Sequence, residues 1–355
     1  MKRRSFLKIA GGVAAGSAIG ASAVIAAEKP ASAQKQQKAG VLPRRLLGRT
    51  GEKISVVAFP GLALSNYDQE QCNAGIRNAF ERGLNHFDVA PAYGKDGDCE
   101  KKMGVGLQGL DRSKIFLSCK TKMRDKEGAL KELDRSLERL KTDHFDLYQL
   151  HHIRTPDEVK RALGPGGAME TILKAKEQGK VRYIGFSAHT TKGAIEALNG
   201  FNFDTVMFPI NFVEFYKIGF GKAVIELAAE KGAGVLGMKT LSMGPWPEGV
   251  ERTRKWWYRA TETQEEVNAA VRFTLSQQGV AAAIPPSFLD LVEKAIEAGC
   301  SYRAITDAEV QKLQETAKTC LSLFEREENQ VARGEPFERP IYPDSPHECC
   351  GGMYA

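Results

Sequence analysis

Apolar positions in this chain follow two alternating rhythms. Short continuous runs rich in β-branched and aromatic residues are followed by longer stretches in which apolar residues recur every third or fourth position. The short runs predict eight strands, at 54–59, 84–90, 114–121, 145–152, 181–189, 205–211, 234–241 and 280–287. The longer stretches predict helices between them. In 126–142, Leu130, Leu133, Leu137 and Leu140 are spaced for one face of a helix. Eight βα units with no shift in composition predict fold class α/β, a single closed (β/α)8 TIM barrel. The competing arrangement is an open doubly wound sheet, whose dinucleotide-binding version needs a GxGxxG after the first strand. FPGLALS (59–65) stands there instead.

Two segments are additional to the barrel. Residues 41–50 (VLPRRLLGRT) predict a hairpin closing the barrel bottom, and 306–330 a final helix. The Pro- and Gly-rich stretch beyond it has no helical period and predicts an irregular surface tail. The pattern therefore divides the chain into a leader (1–33), a polar linker (34–41), the barrel (42–328) and the tail (329–355).

The leader carries RRSFLK (Arg3 to Lys8), then 19 uncharged residues from Ile9 to Ala27, then the small residues Ala31, Ser32 and Ala33. It resembles a twin-arginine export signal cleaved near Ala33, which implies a periplasmic or otherwise exported protein that meets the twin-arginine export machinery. The alternative is an uncleaved anchor, for which four glycines and few large apolar side chains are a poor composition. Without residues 1–33 the body holds 45 basic against 43 acidic side chains, a net of +2. So near-neutral a body gives no electrostatic case for nucleic acid, and no stable membrane partner is expected. Seven cysteines without a CxxC spacing indicate no dense disulfide framework.

Chemistry enters at the strand ends, where a barrel of this class builds its site. The second strand ends in Asp88, with Tyr93 in the loop after it. The third ends in Lys120, and the fourth in His151 and His152. Singly, each has an ordinary explanation: a capping aspartate, a packing tyrosine, a rim lysine, a structural histidine. A hydrophobic core does not call for an acid, a phenol, an amine and an imidazole on three successive strands.

The blocks LGRTGEKISVVAF, GLNHFDVAPAYG, KIFLSCKT, FDLYQLHH and GKVRYIGFSAHT resemble the successive blocks of the aldo-keto reductase superfamily, over roughly residues 42 to 300. GVLGMKTL resembles the bacterial branch related to ferredoxin-containing members. The resemblance implies an NAD(P)-dependent oxidoreductase acting on the carbonyl of an aldehyde, ketone or sugar, with the catalytic tetrad Tyr93, Lys120, Asp88 and His151. The chemistry is coherent. A carbonyl that accepts hydride becomes an alkoxide and needs a proton donor. A free tyrosine titrates near ~10, and an adjacent ammonium lowers that value.

The resemblance further implies a cofactor, NADP with NAD possible, along strands five to eight. It places Ser187 at the carboxamide, Met207 where the family has a second carboxamide partner, Met238 where it stacks an aromatic, Lys239 and Leu241 by the pyrophosphate, and Ser287 in the last loop. IPPSFLDLVEK departs from the family pattern: Leu291 or Val292 occupies the position of an arginine that grips a 2′-phosphate, and Lys294 remains as a possible contact. Cys349 and Cys350 lack the spacing of an iron–sulfur motif, and no metal site is expected. Trp246, Trp256 and Trp257 suit either a substrate wall or loop packing. Two other functions compete: a cofactor-loaded redox-sensing or binding subunit with little turnover, and a metal-dependent barrel hydrolase, against which Lys120 would repel the cation.

Overall fold

In a computed structural model of the protein, residues 40–335 are described. The leader, nearly all of the linker, and the tail beyond 335 with Cys349 and Cys350 lie outside the described residues. All eight apolar runs contribute strands to one parallel sheet: β3 (Phe59–Pro60), β4 (His86–Asp88), β5 (Phe116–Thr121), β6 (Phe145–Ile153), β7 (Val181–Ala188), β8 (Thr205–Pro209), β9 (Gly234–Met238) and β12 (Val280–Ile284). Each strand pairs with the next in that order. A parallel bridge between Val57 and Ala283 closes the ring, with Ala58 N–H donating to Ala283 O at 3.0 Å and Ala283 N–H to Val56 O at 2.8 Å. The expected (β/α)8 barrel is the fold.

A hairpin of β1 (Arg44–Leu46) and β2 (Lys53–Ser55) precedes the barrel. Ile54 and Ser55, expected in the first barrel strand, belong to this hairpin instead, and its second arm lies outside the expected 41–50. Leu47 and Ile54 are fully buried and join Ala58, Phe116, Leu147 and Leu236 in a small apolar cluster. Fully burying side chains of this size contributes about 1.5–3 kcal/mol each. Gly48 makes the close approach possible: a Cβ there would lie 2.3 Å from Gly234 N.

The helices form the outer layer. α1 (Gln69–Glu81) and α2 (Asp98–Gly106) flank β4, and α3 (Lys126–Leu140) follows β5. α3 starts where Asp125 caps Gly128 N–H at 2.7 Å, and ends at Lys141, which has a positive φ of 52°. Its buried face carries Leu133, Leu137 and Leu140, whereas Leu130, expected among them, is exposed. α4 (Pro156–Leu163) and α5 (Ala168–Glu177) follow β6, and α6 (Thr191–Gly200) follows β7. α7 (Phe212–Ile218) and α8 (Lys222–Glu230) follow β8. After β9 a long excursion forms a second hairpin, β10 (Ser242–Pro245) with β11 (Tyr258–Ala260), before α9 (Gln264–Ser276). α10 (Leu289–Cys300) completes the ring. The expected final helix is two, α11 (Asp307–Thr319) and α12 (Glu325–Arg333), broken at 320–324, so helix continues past the expected start of the tail at 329. Among the described residues, no helix is long and apolar enough to cross a membrane, and Cys72, Cys99, Cys119, Cys300 and Cys320 are free thiols.

Candidate active site

β4 alternates, so His86 and Asp88 share one face of the strand. β5 presents Ser118 and Lys120 in the same manner, and β6 presents Gln149 and His151. Lys120 Nζ, completely buried, donates to the Asp88 carboxylate, to the Tyr93 hydroxyl at 3.2 Å and to Val89 O at 3.3 Å. Gln149 Nε2 donates to the other Asp88 oxygen at 3.3 Å. Burial pushes the Asp88 carboxyl up from its ordinary value, and the Lys120 ammonium and Gln149 amide draw it part of the way back. Tyr93 reaches the group through a turn in which its N–H donates to Ala90 O at 3.0 Å. The His151 ring meets the Tyr93 ring edge-on, with centroids 5.6 Å apart. All four expected catalytic residues therefore converge on one point of the barrel mouth.

Below them, His86 Nε2 shares a 2.8 Å hydrogen bond with Ser118 Oγ. Burial drives the His86 imidazole down to about 3, so it is neutral through the working pH range.

The end of β6 is held in an unusual backbone. His152 has φ +60°, a left-handed conformation that a non-glycine residue adopts at a cost of about 1–3 kcal/mol. Its N–H donates to Ser187 Oγ at 2.8 Å. Arg124, from the loop after β5, donates to His151 O at 2.7 Å and more distantly to His152 O at 3.4 Å. Gln149 and Arg124 were not singled out in the sequence. The alternation Leu147, Gln149, His151 does place Gln149 on the site face, whereas nothing local marks Arg124.

A pocket beside the tetrad is bordered by Tyr93, Asp88, Pro60 and Leu62 on one side and by Met207, Met238, Ile284, Pro285 and Ser287 on the other. Tested against a nicotinamide dinucleotide, this second wall fits in part. Met207, Met238 and Ile284 give an apolar lining on which a flat ring can rest, and Lys239 and Ser287 add an ammonium and a hydroxyl at its edge. Ser187 lies on β7 with its hydroxyl accepting from His152. Lys239 Nζ donates to His189 Nε2 at 3.2 Å and stands over the Trp257 and Phe324 rings. Leu241 has a fully buried side chain, and its carbonyl accepts the Thr261 N–H at 2.9 Å. Leu291 and Val292 are in the core, and Lys294 Nζ donates to Glu262 O at 2.6 Å. The tryptophans divide the two expected tasks. Trp246 packs the loop by donating to Trp256 O at 2.8 Å, and Trp256 and Trp257 line the pocket. Arg254, on the same loop, pairs with Asp290 and Glu262.

The C-terminal segment reaches this mouth too. The buried Glu214 accepts Leu323 N–H at 2.7 Å and the Ser322 hydroxyl, and Glu328 accepts Thr191 N–H at 2.5 Å. Phe324 is thereby set against His189, ring centroids 5.8 Å apart.

The sequence pattern of the aldo/keto reductase family matches residues 58–298. The chain belongs to that family. It is a family of NAD(P)-dependent oxidoreductases. The chain is 34% identical over 158 residues to an L-galactose dehydrogenase of Arabidopsis thaliana, covering 40% of this chain but only 47% of that protein. It is 31% identical over 207 residues to an NAD/NADP-dependent indole-3-acetaldehyde reductase of Schizosaccharomyces pombe, 56% of this chain and 69% of the relative. An aldo-keto reductase from Bacillus halodurans, in its holo form, superposes with a TM-score of 0.65 over 81% of this chain and 99% of its own, at 23% identity. That likeness is one of fold.

Proposed function

We propose that this aldo/keto reductase interconverts a carbonyl and an alcohol on an aldehyde, ketone or sugar, with Tyr93 as general acid and base. The observation that carries the reading is the ammonium of Lys120, buried between the Asp88 carboxylate and the Tyr93 hydroxyl. When bound, a reduced nicotinamide cofactor, NADPH or NADH, would supply the hydride. The chain's own residues do the rest. His151 hydrogen-bonds the carbonyl oxygen and orients it. Tyr93 gives up its proton as negative charge develops on that oxygen, and Lys120 stabilises the phenolate left behind. Asp88 keeps the ammonium in place, and Gln149 keeps Asp88 in place. Met207, Met238 and Ser287 would hold the nicotinamide end, with Lys239 near the phosphates. For a 2′-phosphate, α10 offers no arginine, so support for NADP rests on family habit.

Tyr93→Phe is the test. Removing the proton donor should lower kcat by about 10²–10⁴, while nucleotide affinity, followed by fluorescence titration, stays within a few-fold. Unchanged turnover on every carbonyl the wild type reduces would overturn the role of Tyr93.

We also propose export through the twin-arginine route, on the strength of RRSFLK and the weakly apolar run behind it. Replacing Arg3 and Arg4 by lysine should leave the protein in the cytoplasmic fraction, and unchanged fractionation would refute the route.

A further inference from the structure

The left-handed residue at His152 sits between two parts of the site. His151, immediately before it, faces Tyr93. Ser187, whose hydroxyl accepts the His152 N–H, lies on the next strand, on the side expected to hold the nicotinamide. A conformation of this kind persists only where its surroundings over-determine it. The principal grip comes from Arg124. Its guanidinium is buried, and one nitrogen donates to His151 O at 2.7 Å and to His152 O at 3.4 Å, so it reaches both carbonyls of the turn. The other terminal nitrogen donates to Lys122 O at 3.0 Å, two residues beyond Lys120. Glu158, at the start of α4, supplies the countercharge at 3.6 Å and also accepts the N–H groups of Arg154 and Thr155. A single side chain thus ties the end of β5, which carries Lys120, to the end of β6, which carries His151.

We propose that Arg124 is a positioning residue that holds the His151–His152 turn left-handed, and so aims the His151 imidazole at the oxygen that Tyr93 protonates. This rests on the oxidoreductase reading above for its kinetic consequence, but the geometric claim stands apart from it. Arg124 does not border the pocket beside Tyr93. Its fork spans two strand ends, one arm on the carbonyls of the β6 turn and the other on Lys122 O, a span that a lysine point charge does not provide. Loss of the fork lets the turn relax and moves the imidazole, and a displacement of about 1 Å in a reacting group lowers a rate on the order of 100-fold.

The experiment uses the full chain and four proteins: wild type, Arg124→Met, Arg124→Lys, and Arg124→Met combined with His152→Asn. Asparagine visits the left-handed conformation because its short amide hydrogen-bonds locally, so the second change lessens the need for the clamp. Arg124→Met is expected to lower kcat about 100-fold with carbonyl KM and nucleotide affinity within about threefold. Arg124→Lys keeps the pairing with Glu158, guards against a variant that does not fold, and should lose about tenfold. The double variant should regain at least tenfold over Arg124→Met, and added guanidinium ion should do the same. A purely structural role predicts no such recovery. The proposal is overturned if either folded single variant turns over within threefold of wild type, or if neither His152→Asn nor guanidinium restores rate to Arg124→Met. If the wild type reduces no carbonyl, the oxidoreductase reading fails by itself. The clamp is then read from the His151 imidazole resonances by NMR: a shifted His151 signal in Arg124→Lys supports it, and an unmoved one overturns it.

Discussion

Lys120→Met exposes how the central pair balances burial against charge. In the wild type both partners are out of solvent, with side-chain exposures of 0% for Lys120 and 4% for Asp88. Methionine fills the volume of the lysine stem and removes the ammonium, with its charge and its donors to Asp88, Tyr93 and Val89. Asp88 then keeps the Gln149 amide, at 3.3 Å, as its partner among the described residues. Breaking a buried ion pair from one side costs about 3–5 kcal/mol, because the remaining charge is left uncompensated. That is the loss expected at pH 8. It should not persist in acid. Asp88 already titrates above its ordinary value of 3.8 because it is buried, and the Lys120 ammonium is what pulls it down. Without that pull the folded variant binds a proton more tightly than its unfolded chain. Stability therefore rises as pH falls from the raised folded value toward about 3.8, at up to about 1.4 kcal/mol per pH unit. The measurement is urea unfolding followed by circular dichroism from pH 5 to 8, with wild type subtracted at each pH. Adding Asp88→Asn should recover most of the loss at pH 8, since no buried charge then remains. A deficit of the same size at pH 5 and pH 8, or no deficit at all, would show that Asp88 is not held ionised by Lys120.

His86 and Glu214 give two further expectations. His86 titrates near 3 when folded and at its ordinary value, 6.5, when unfolded, so unfolding takes up a proton in that window. The contribution is complete above about 6.5 and is lost as pH falls, at up to about 1.4 kcal/mol per unit; His86→Gln should flatten the acid limb of a urea-unfolding series, and parallel limbs would refute it. Glu214→Gln removes a charge-assisted acceptor from Leu323 N–H and the Ser322 hydroxyl, worth about 1.5–3 kcal/mol. Amide exchange at Leu323 should quicken by about 10- to 100-fold while the barrel strands keep their protection, and an unchanged Leu323 rate would show that the carboxylate does not fasten this C-terminal strap, residues 322–328.

The barrel was legible because its strands are buried on both sides and read as unbroken apolar runs. The clustering of Asp88, Tyr93, Lys120 and His151 was legible because polar residues interrupt those runs at successive strand ends. What escaped notice depended on partners distant in sequence. Ile54 belongs to an apolar run yet pairs with Arg45, because the hairpin competes with the barrel for the same residues. Lys239 is placed by the phosphates through the resemblance alone, and its φ of +56° and its contact with His189 are not readable from the sequence. Arg124 is one cation in a basic loop until the left-handed turn it grips is known.

The strap that sets Phe324 beside Lys239 has a consequence for the order of assembly. Its anchors, Glu214 and Thr191, emerge from the ribosome more than a hundred residues before the Leu323 and Glu328 they receive. Ring closure waits as well, since Val57 needs Ala283. Contacts so far apart in sequence form late. The wall beside Lys239 is therefore among the last parts of the molecule to be finished, and a nascent chain released before residue 324 carries its tetrad residues but lacks that wall. Synthesis past residue 324 is thus a condition for a finished site.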